Sequence, residues 1–200
     1  MIIIDRPFIE KKGRAVLLKS IIEDSAREKN FPLWYSVDEQ YGSYFCADRA
    51  DSFLVASLMC AMKSYQDIVV HAPVSKRLLY HINNDIQPLF TELIPGSRRI
   101  RINVPDEECP LLEGKAVGCG SSLGVDSLSA LYRHMGDHVI DEYRVSHLAL
   151  FNSGQLGYQN KVSDEQAFRI AIDGLTLFSK DVNLPIVAVD SNLNAFFVEF

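Results

Sequence analysis

The chain has 200 residues, of which 48% are hydrophobic and 23% charged. This is the composition of a soluble globular protein, and it excludes a disordered chain, a collagen and a long coiled coil. Its 20 lysines and arginines are outnumbered by 26 aspartates and glutamates, for a formal net charge of −6. Because nucleic-acid binding depends on positive charge facing the phosphates, we do not expect a nucleic-acid partner.

Neither export nor a membrane location is indicated by the sequence. The four cysteines form no C-x-x-C pair, and no basic and apolar leader opens the chain. The longest apolar run, residues 53–62, is far shorter than the ~20 residues that span a bilayer. We therefore expect a cytoplasmic protein with no membrane partner.

Residues 1–110 are predicted to form an α+β module of short strands and amphipathic helices. We expect Asp51 to cap the first helix with its own side chain, Ser75 to cap the second, and Pro88 to kink or restart that second helix. The predicted elements of this module are a hairpin turning at residues 11–14, a strand at 33–37, a helix from Asp51, a strand at 67–71, a helix from Ser75 and an alternating strand at 99–104.

A second domain, residues 111–200, is predicted to follow the polar, proline-bounded segment 105–110. Three apolar strands alternate there with two helices, and Ser163 begins a capping box for the second helix. Strands that are apolar along their whole length are typical of a parallel sheet covered by helices. We place these strands at 115–120, 147–152 and 185–189.

The loop at residues 118–127 joins the first of these strands to its helix, which is where parallel sheets bind ligands. Its three glycines allow a ligand close to the backbone, and the helix start favours an anion such as a phosphate. A tight structural turn explains the same residues. Residues 120–124 also fit G-x-S-x-G, the nucleophile elbow of serine hydrolases, and the three glycines resemble a stretched dinucleotide fingerprint.

Both of these motif-based alternatives lack a residue that their chemistry needs. A hydrolase requires an acid and then a histidine later in the chain, yet the last histidine, His147, begins the very next strand. An NAD site requires an acidic residue at the end of the second strand, and that strand ends with Phe151 and Asn152.

Residues 122–127 resemble the S-G-G-x-D-S pyrophosphate loop of the PP-loop ATP pyrophosphatase superfamily. Ser122, Gly124, Asp126 and Ser127 match that pattern, whereas Leu123 stands where the family has glycine. Residues 151–155 resemble the F-D-Y-G-Q segment of the 7-cyano-7-deazaguanine synthases within the superfamily. The resemblance covers residues 115–192; residues 1–110 match nothing in those enzymes, and their cysteine zinc cluster has no counterpart here.

The resemblance implies a parallel β-α-β-α-β sheet of the HUP, Rossmann-like type, and ATP-dependent ligase chemistry with Mg²⁺. A carboxylate or carbonyl oxygen of a small-molecule substrate would be adenylated with release of pyrophosphate, ahead of amide formation or nitrogen transfer. Asp126 and Ser127 would be catalytic, and Gln155 and Asp190 would face the substrate. The residues that would bind ATP are Gly120, Ser121, Ser122, Leu123, Gly124, Val125, Asp126, Ser127, Phe151 and Asn152.

Several points stay open at this stage. Asp126 would either hold Mg²⁺ or cap the helix, and Phe151 would either contact adenine or lie in the core. A complete domain of this superfamily has more than three strands, so we expect a longer chain, a homo-oligomer or another chain to complete the sheet and the apolar ending 196–200 to be exposed. A degenerate subunit that binds a nucleotide or a partner without catalysis is the alternative function.

Overall fold

The computed structural model describes residues 1–107, 114, 116–154 and 163–200. This part of the chain is mixed α/β and is built on one nine-stranded sheet. The strands are β1 (Ile2–Ile4), β2 (Phe8–Lys12), β3 (Ala15–Asp24), β4 (Lys29–Asp38), β5 (Ile68–Val70), β6 (Ile102–Asn103), β7 (Gly118–Gly120), β8 (His147–Phe151) and β9 (Ile186–Ser191).

The strand order is β6-β5-β1-β3-β4-β9-β8-β7, and β2 also pairs with β3. Strands β2, β3 and β4 form antiparallel hairpins, and the predicted turn between β2 and β3 is confirmed, with Gly13 in the left-handed region at φ 62°. Strands β7, β8 and β9 are parallel, as the β-α-β-α-β order with near-continuous apolar strands predicted. The strand predicted at 99–104 is reduced to the two residues of β6.

The helices are α1 (Asp51–Ser64), α2 (Lys76–His81), α3 (Gln87–Leu93), α4 (Val125–Arg133), α5 (Asp164–Val182) and α6 (Leu193–Glu199), with a 3₁₀ turn at Glu39–Tyr44 and a π turn at Ile82–Ile86. Pro88 was predicted to kink or restart the helix; it lies in the first turn of α3, directly after the π turn, and the backbone stays right-handed helical across this junction. Among the described residues, no helix has both the length and the apolarity to cross a bilayer.

The sheet has a first part, strands β1–β6, and a second part, the parallel strands β7–β9. The first part packs on α1 to form the larger of two hydrophobic clusters. Alternate residues of β3, among them Leu18 and Ile22, point to this cluster, and Phe53 and Leu54 of α1 are fully buried in it. The predicted cap by Asp51 is wrong. Ala50 is the N-cap residue of α1, and the Asp51 carboxylate instead accepts the backbone N–H of Ser75 at 2.8 Å. Ser75 is the N-cap residue of α2, but its side chain makes no capping hydrogen bond.

The second cluster lies between the parallel strands and helices α4 and α5. Leu148 and Leu150 of β8 are buried against it, so β8 turns its other side chains toward the opposite face of the sheet. The predicted cap of α5 is confirmed, since the Ser163 hydroxyl oxygen accepts the Gln166 N–H at 3.2 Å.

The two parts of the sheet are joined by a short antiparallel pairing of β4 with β9. Tyr35 pairs with Ser191 and Ser36 with Asp190. Beyond β9, the side chain of Asn192 accepts the Trp34 N–H at 2.9 Å and donates to the Pro32 carbonyl at 2.8 Å. These contacts fix the end of β9 against β4.

The expected exposure of the apolar ending 196–200 is wrong for its first residue, Phe196. Phe196 of α6 is 0% exposed and belongs to the first hydrophobic cluster. Its ring lies 5.4 Å from Phe31 and 4.7 Å from Phe200, centroid to centroid. Helix α6 thus fills the core of the first part of the sheet, although its residues follow the last strand of the second.

Candidate functional site

The loop after β7 begins as a continuation of the parallel ladder. The Ser121 N–H donates to the Ala149 carbonyl of β8 at 2.9 Å, and the buried Ser121 hydroxyl donates to the Cys119 carbonyl at 3.0 Å. Ser121 therefore shapes the turn with its hydroxyl directed inward. A Cβ atom added to Gly120 would meet no atom of a described residue within 4 Å, so none of these residues closes off the backbone there.

Leu123 has a left-handed backbone, with φ at 58°. An L-residue with a Cβ atom costs roughly 1–2 kcal/mol in this region, whereas glycine adopts it freely. This is the position at which the PP-loop pattern has glycine. The loop has therefore taken the conformation that a glycine would favour, despite the leucine.

The hydroxyl groups of Ser122 and Ser127 lie 3.4 Å apart across the loop. The Ser122 hydroxyl oxygen also accepts the Gly124 N–H at 3.4 Å, and the Ser127 hydroxyl donates to the Gly124 carbonyl at 2.9 Å. Both side chains fold back on Gly124 and hold the segment before α4 in a compact arc. No histidine or carboxylate of a described residue is bonded to Ser122, so a nucleophile elbow lacks its base here.

Helix α4 starts at the exposed end of this arc. Gly124 is its N-cap residue and makes no side-chain cap. In the part of the chain that the structure describes, the N–H groups of Val125, Asp126 and Ser127 have no acceptor, as is usual in a first helical turn. Together with the helix dipole these donors favour an anion. Val125 is 84% exposed, so the surface around them is open.

The carboxylate of Asp126 lies in the first turn of α4 and is exposed. It makes no hydrogen bond and no ion pair with a described residue, and it does not cap the helix. The sequence left open whether Asp126 caps the helix or holds Mg²⁺, and the capping role is not observed here.

The tips of β8 and β9 lie beside the loop and carry three further predicted residues. Phe151 is 56% exposed, which excludes the core position that the sequence left open for it. The buried Asn152 amide donates to the Asp190 carboxylate at 2.7 Å, and Asp190 also accepts the Ser191 N–H at 2.9 Å. These bonds tie the two strand tips together. Gln155 lies outside the described residues.

His147 lies at the opposite end of β8 from these residues. Its Nδ1 is 2.9 Å from the Ser146 hydroxyl, and its Nε2 is 3.4 Å from the Tyr44 hydroxyl. The rings of Tyr41 and Tyr44 meet it edge-on, with centroids 5.9 and 5.6 Å away. Burial, helped by neighbouring Tyr44 and Asp38, raises the pKa of Tyr41. The histidine belongs to this aromatic contact and not to the loop.

A cleft of about 710 Å³ opens between the first module and the tips of β8 and β9. Sequence reasoning missed it, because its walls come from positions as distant as Leu18 and Val189 and no local pattern links them. Its lining includes Tyr35, Phe45, Arg49, Val55 and Phe151. Burial raises the pKa of Tyr35 to about 12, so its phenol is neutral at pH 7.

Comparison with known proteins returns no match: no protein-family model fits the sequence, and no curated protein or solved structure is significantly similar to it. Among the described residues, no group of three or more histidine, cysteine or acidic side chains could hold a metal ion by itself. The function is therefore argued from the chain's own residues.

Proposed function

We propose that this chain binds ATP with Mg²⁺ at the loop between β7 and α4, and that it adenylates a carboxylate or carbonyl oxygen of a small substrate. The observation that carries the proposal is the left-handed backbone of Leu123, directly before the open start of α4. A loop in this conformation at the carboxyl end of a parallel strand brings backbone N–H groups toward one point, as phosphate-binding loops do.

The proposed roles follow from what each group offers. The N–H groups of Val125, Asp126 and Ser127 would donate to phosphate oxygens, and the hydroxyls of Ser122 and Ser127 can turn toward the same ligand. Ser121 and Gly120 would support the close approach of the phosphates. The exposed ring of Phe151 would cover one face of the adenine, beside the Asn152–Asp190 pair.

Mg²⁺ would compensate the polyphosphate charge, because residues 118–127 include no lysine or arginine. The donor set fits this ion, since Mg²⁺ in nucleotide sites is usually held by one or two carboxylates together with phosphate oxygens. Asp126 is the carboxylate in place, exposed and free of hydrogen bonds with described residues.

In the proposed reaction the substrate oxygen attacks the α-phosphorus. A bond forms between that oxygen and phosphorus, and the bond to the bridging oxygen breaks, so pyrophosphate leaves with the electron pair. Ammonia or an amine then attacks the activated carbonyl carbon and displaces AMP. The contribution of the chain is to position the reactants and to stabilise the developing negative charge with fixed N–H donors.

Strand β7 lies at one edge of the sheet, where a partner chain could add to the strands β7–β9. In the described residues β7 pairs only with β8, and helix α4 beside it exposes Val125 and Tyr132. An unpaired strand edge beside exposed apolar side chains is a site where another strand can add. We therefore propose a homo-oligomer or a second chain at this edge; a sedimentation velocity experiment that finds a monomer, with and without nucleotide, would refute the homo-oligomer.

The test of the nucleotide site is calorimetric titration with Mg²⁺ and an ATP analogue that has a methylene group between the α- and β-phosphates. We expect binding that weakens by about tenfold or more in Asp126→Ala, as the loss of a charged ligand implies. Asp173→Ala, which removes an exposed carboxylate from α5, is the matched control and should bind as the wild type does.

Each other result has a defined meaning. Binding of NAD in place of the analogue would refute the proposal and favour the dinucleotide alternative. Binding of neither would mean that the loop is a structural turn or that the site needs the partner chain, and titration of the assembled complex would then separate the two. If the analogue binds but no pyrophosphate is released from ATP with any acid and ammonia, the alternative of a degenerate binding subunit is the better description.

A further inference from the structure

The cleft between the modules has the size and walls of a small-molecule site. Its volume of about 710 Å³ is within the usual range for ligand pockets, about 300–1,000 Å³. Val55 of α1 and Phe151 of β8 both line it, and they are 54% and 56% exposed. Large apolar side chains this exposed are common singly on a surface, but here they converge from two parts of the fold on one concave space.

The charged groups of the cleft, Arg49 and Asp51, lie at the start of α1, and Tyr35, Tyr44 and Ser52 add hydroxyl groups. The Arg49 side chain is only 20% exposed, and its Nη1 is 3.9 Å from the Asp51 carboxylate. Asp51 lies in the first turn of α1 and accepts the Ser75 N–H, so its charge is partly compensated by the helix start. The Tyr35 hydroxyl donates to the Ser52 carbonyl at 3.4 Å.

A guanidinium group has five N–H donors in a planar fork, which matches a carboxylate. Arg49 lines the cleft, so a ligand carboxylate there can pair with its guanidinium in exchange for one of its present contacts. Much of the remaining lining is apolar, through side chains such as Phe45, Val55 and Val189. An aliphatic or aromatic group would gain from burial against these side chains, whereas a polar heterocycle would lose hydrogen bonds with water there.

The cleft is on the face of the sheet from which the loop can be reached. Gly120 of β7 pairs with Ala149, and Phe151 is two residues further along β8, so these three residues share one face. That face is opposite the one covered by α4 and α5, on which Leu148 and Leu150 lie. A ligand resting on Phe151 would thus lie on the same face as the open backbone at Gly120.

We propose that this cleft binds the substrate that is to be adenylated, and that the substrate is a small, largely apolar carboxylic acid whose carboxylate is recognised by Arg49. The proposal rests on the proposed function for its second step, in which one carboxylate oxygen attacks the α-phosphorus and pyrophosphate leaves. Binding of the acid itself does not require a nucleotide.

Two cysteines allow ligand binding at the cleft and at the loop to be measured separately in one experiment. Cys46 lines the cleft, and Cys119 lies on β7 within the loop segment 118–127, with its sulfur 4.0 Å from the Ser127 carbonyl oxygen. Cys60 lies outside the cleft, and burial raises the pKa of its thiol, so it is a slow internal reference. The alkylation rate of each cysteine by iodoacetamide is measured by peptide mass spectrometry.

The probes are 3-phenylpropanoate and hexanoate, each compared with its neutral amide. We expect the acids to slow the alkylation of Cys46 several-fold without an effect on Cys119, and the amides to have little effect on either. Arg49→Gln should weaken this protection by about tenfold or more, as the loss of a charge-assisted pair implies. Arg101→Gln, which removes an exposed arginine outside the cleft, should leave it unchanged.

A second variant keeps the test valid if Arg49→Gln does not fold. Val55→Trp adds bulk from the exposed side of the cleft and should abolish protection by the acids while the core is kept. Equal protection by acids and amides, or none by any probe, would overturn the proposal. Protection of Cys46 by the ATP analogue but not by the acids would also overturn it and assign the cleft to the nucleotide.

The outcome for Cys119 separates this proposal from the proposed function. If the analogue slows alkylation of Cys119 while no acid protects Cys46, the nucleotide site stands and the acid site fails. If the acids protect Cys46 while the analogue leaves Cys119 unchanged, the acid site stands and the proposed function fails.

Discussion

Strand β3, in the first part of the sheet, alternates along its whole length between half-buried and buried residues, whereas all six residues of β9, in the second part, are only half-buried. The hydrophobic cluster on the first part contains nineteen buried residues of the described chain, and the cluster on the second contains six. The first part is covered by α1 and α6, whereas a cleft opens beside Phe151 and Val189 of the second. Buried apolar packing is thus concentrated in the first part, and the cleft opens where that part meets the second.

The largest effect is expected from Phe196→Ala, which tests whether α6 belongs to the first part of the molecule. Truncation of a fully buried phenylalanine should lower the free energy of unfolding by about 3–5 kcal/mol. Urea unfolding followed by the fluorescence of Trp34, the one tryptophan in the sequence, measures the effect on β4 directly. The control is Phe197→Ala, because the side chain of Phe197 is 48% exposed. An equal loss of unfolding free energy in both variants would show that α6 does not fill the core of the first part.

A smaller effect is expected at high pH from Tyr35, where the two parts meet. Burial raises the pKa of Tyr35 to about 12, above the ~10 of an unfolded chain, so the folded state favours the neutral phenol. The resulting stabilisation is complete below pH ~10 and is lost as the pH rises toward ~12, a change of about 2 kcal/mol for this half-buried group.

Urea unfolding of the wild type and of Tyr35→Phe at about pH 9 and pH 11.5 measures this change, because the variant cannot ionise there. The stability of the wild type relative to the variant should fall between the two pH values. Tyr132→Phe, at an exposed position on α4, controls for the loss of a phenol. A constant difference for Tyr35→Phe would show that its phenol titrates as it does in the unfolded chain.

The smallest effect is expected in the open second part, from Leu123→Gly. Glycine removes the cost of a Cβ atom at φ 58° but loses more conformational entropy on folding. We therefore expect Leu123→Gly to be more stable than Leu123→Ala by about 0.5–1 kcal/mol, since alanine keeps the strain and lacks the leucine side chain. Thermal unfolding followed by circular dichroism compares the two variants. If the alanine variant is the more stable one, the backbone at this position is not strained.

Local elements were predictable because their causes lie within a few residues of one another. Ser163 and Gln166 are three positions apart, and Gly13 follows directly from the hairpin sequence. The parallel arrangement of β7, β8 and β9 followed from their apolar composition and the helices between them. The loop was located in sequence by its glycines and serines, whereas the strain at Leu123 needed the backbone angles.

The features that sequence reasoning missed all depend on distant partners. The carboxylate of Asp51 is bonded to Ser75, a competitor for its capping role that lies 24 residues away. The pairing of β4 with β9 and the burial of Phe196 join positions more than 150 residues apart, and hydrophobic periodicity does not encode partners. The cleft was missed for the same reason. Arg49 and Phe151 line it together only because β4 pairs with β9, and no local pattern in the sequence predicts that pairing.

The burial of Phe196 beside Phe31 has a consequence for synthesis of the protein. The strands up to β6 leave the ribosome first, but their core lacks this aromatic filling until α6 has also been made. At the usual rate of translation, the residues between β6 and α6 take on the order of 10 s. We expect the nascent chain to expose the apolar surface around Phe31 during that interval, and so to depend on chaperones that bind such surfaces.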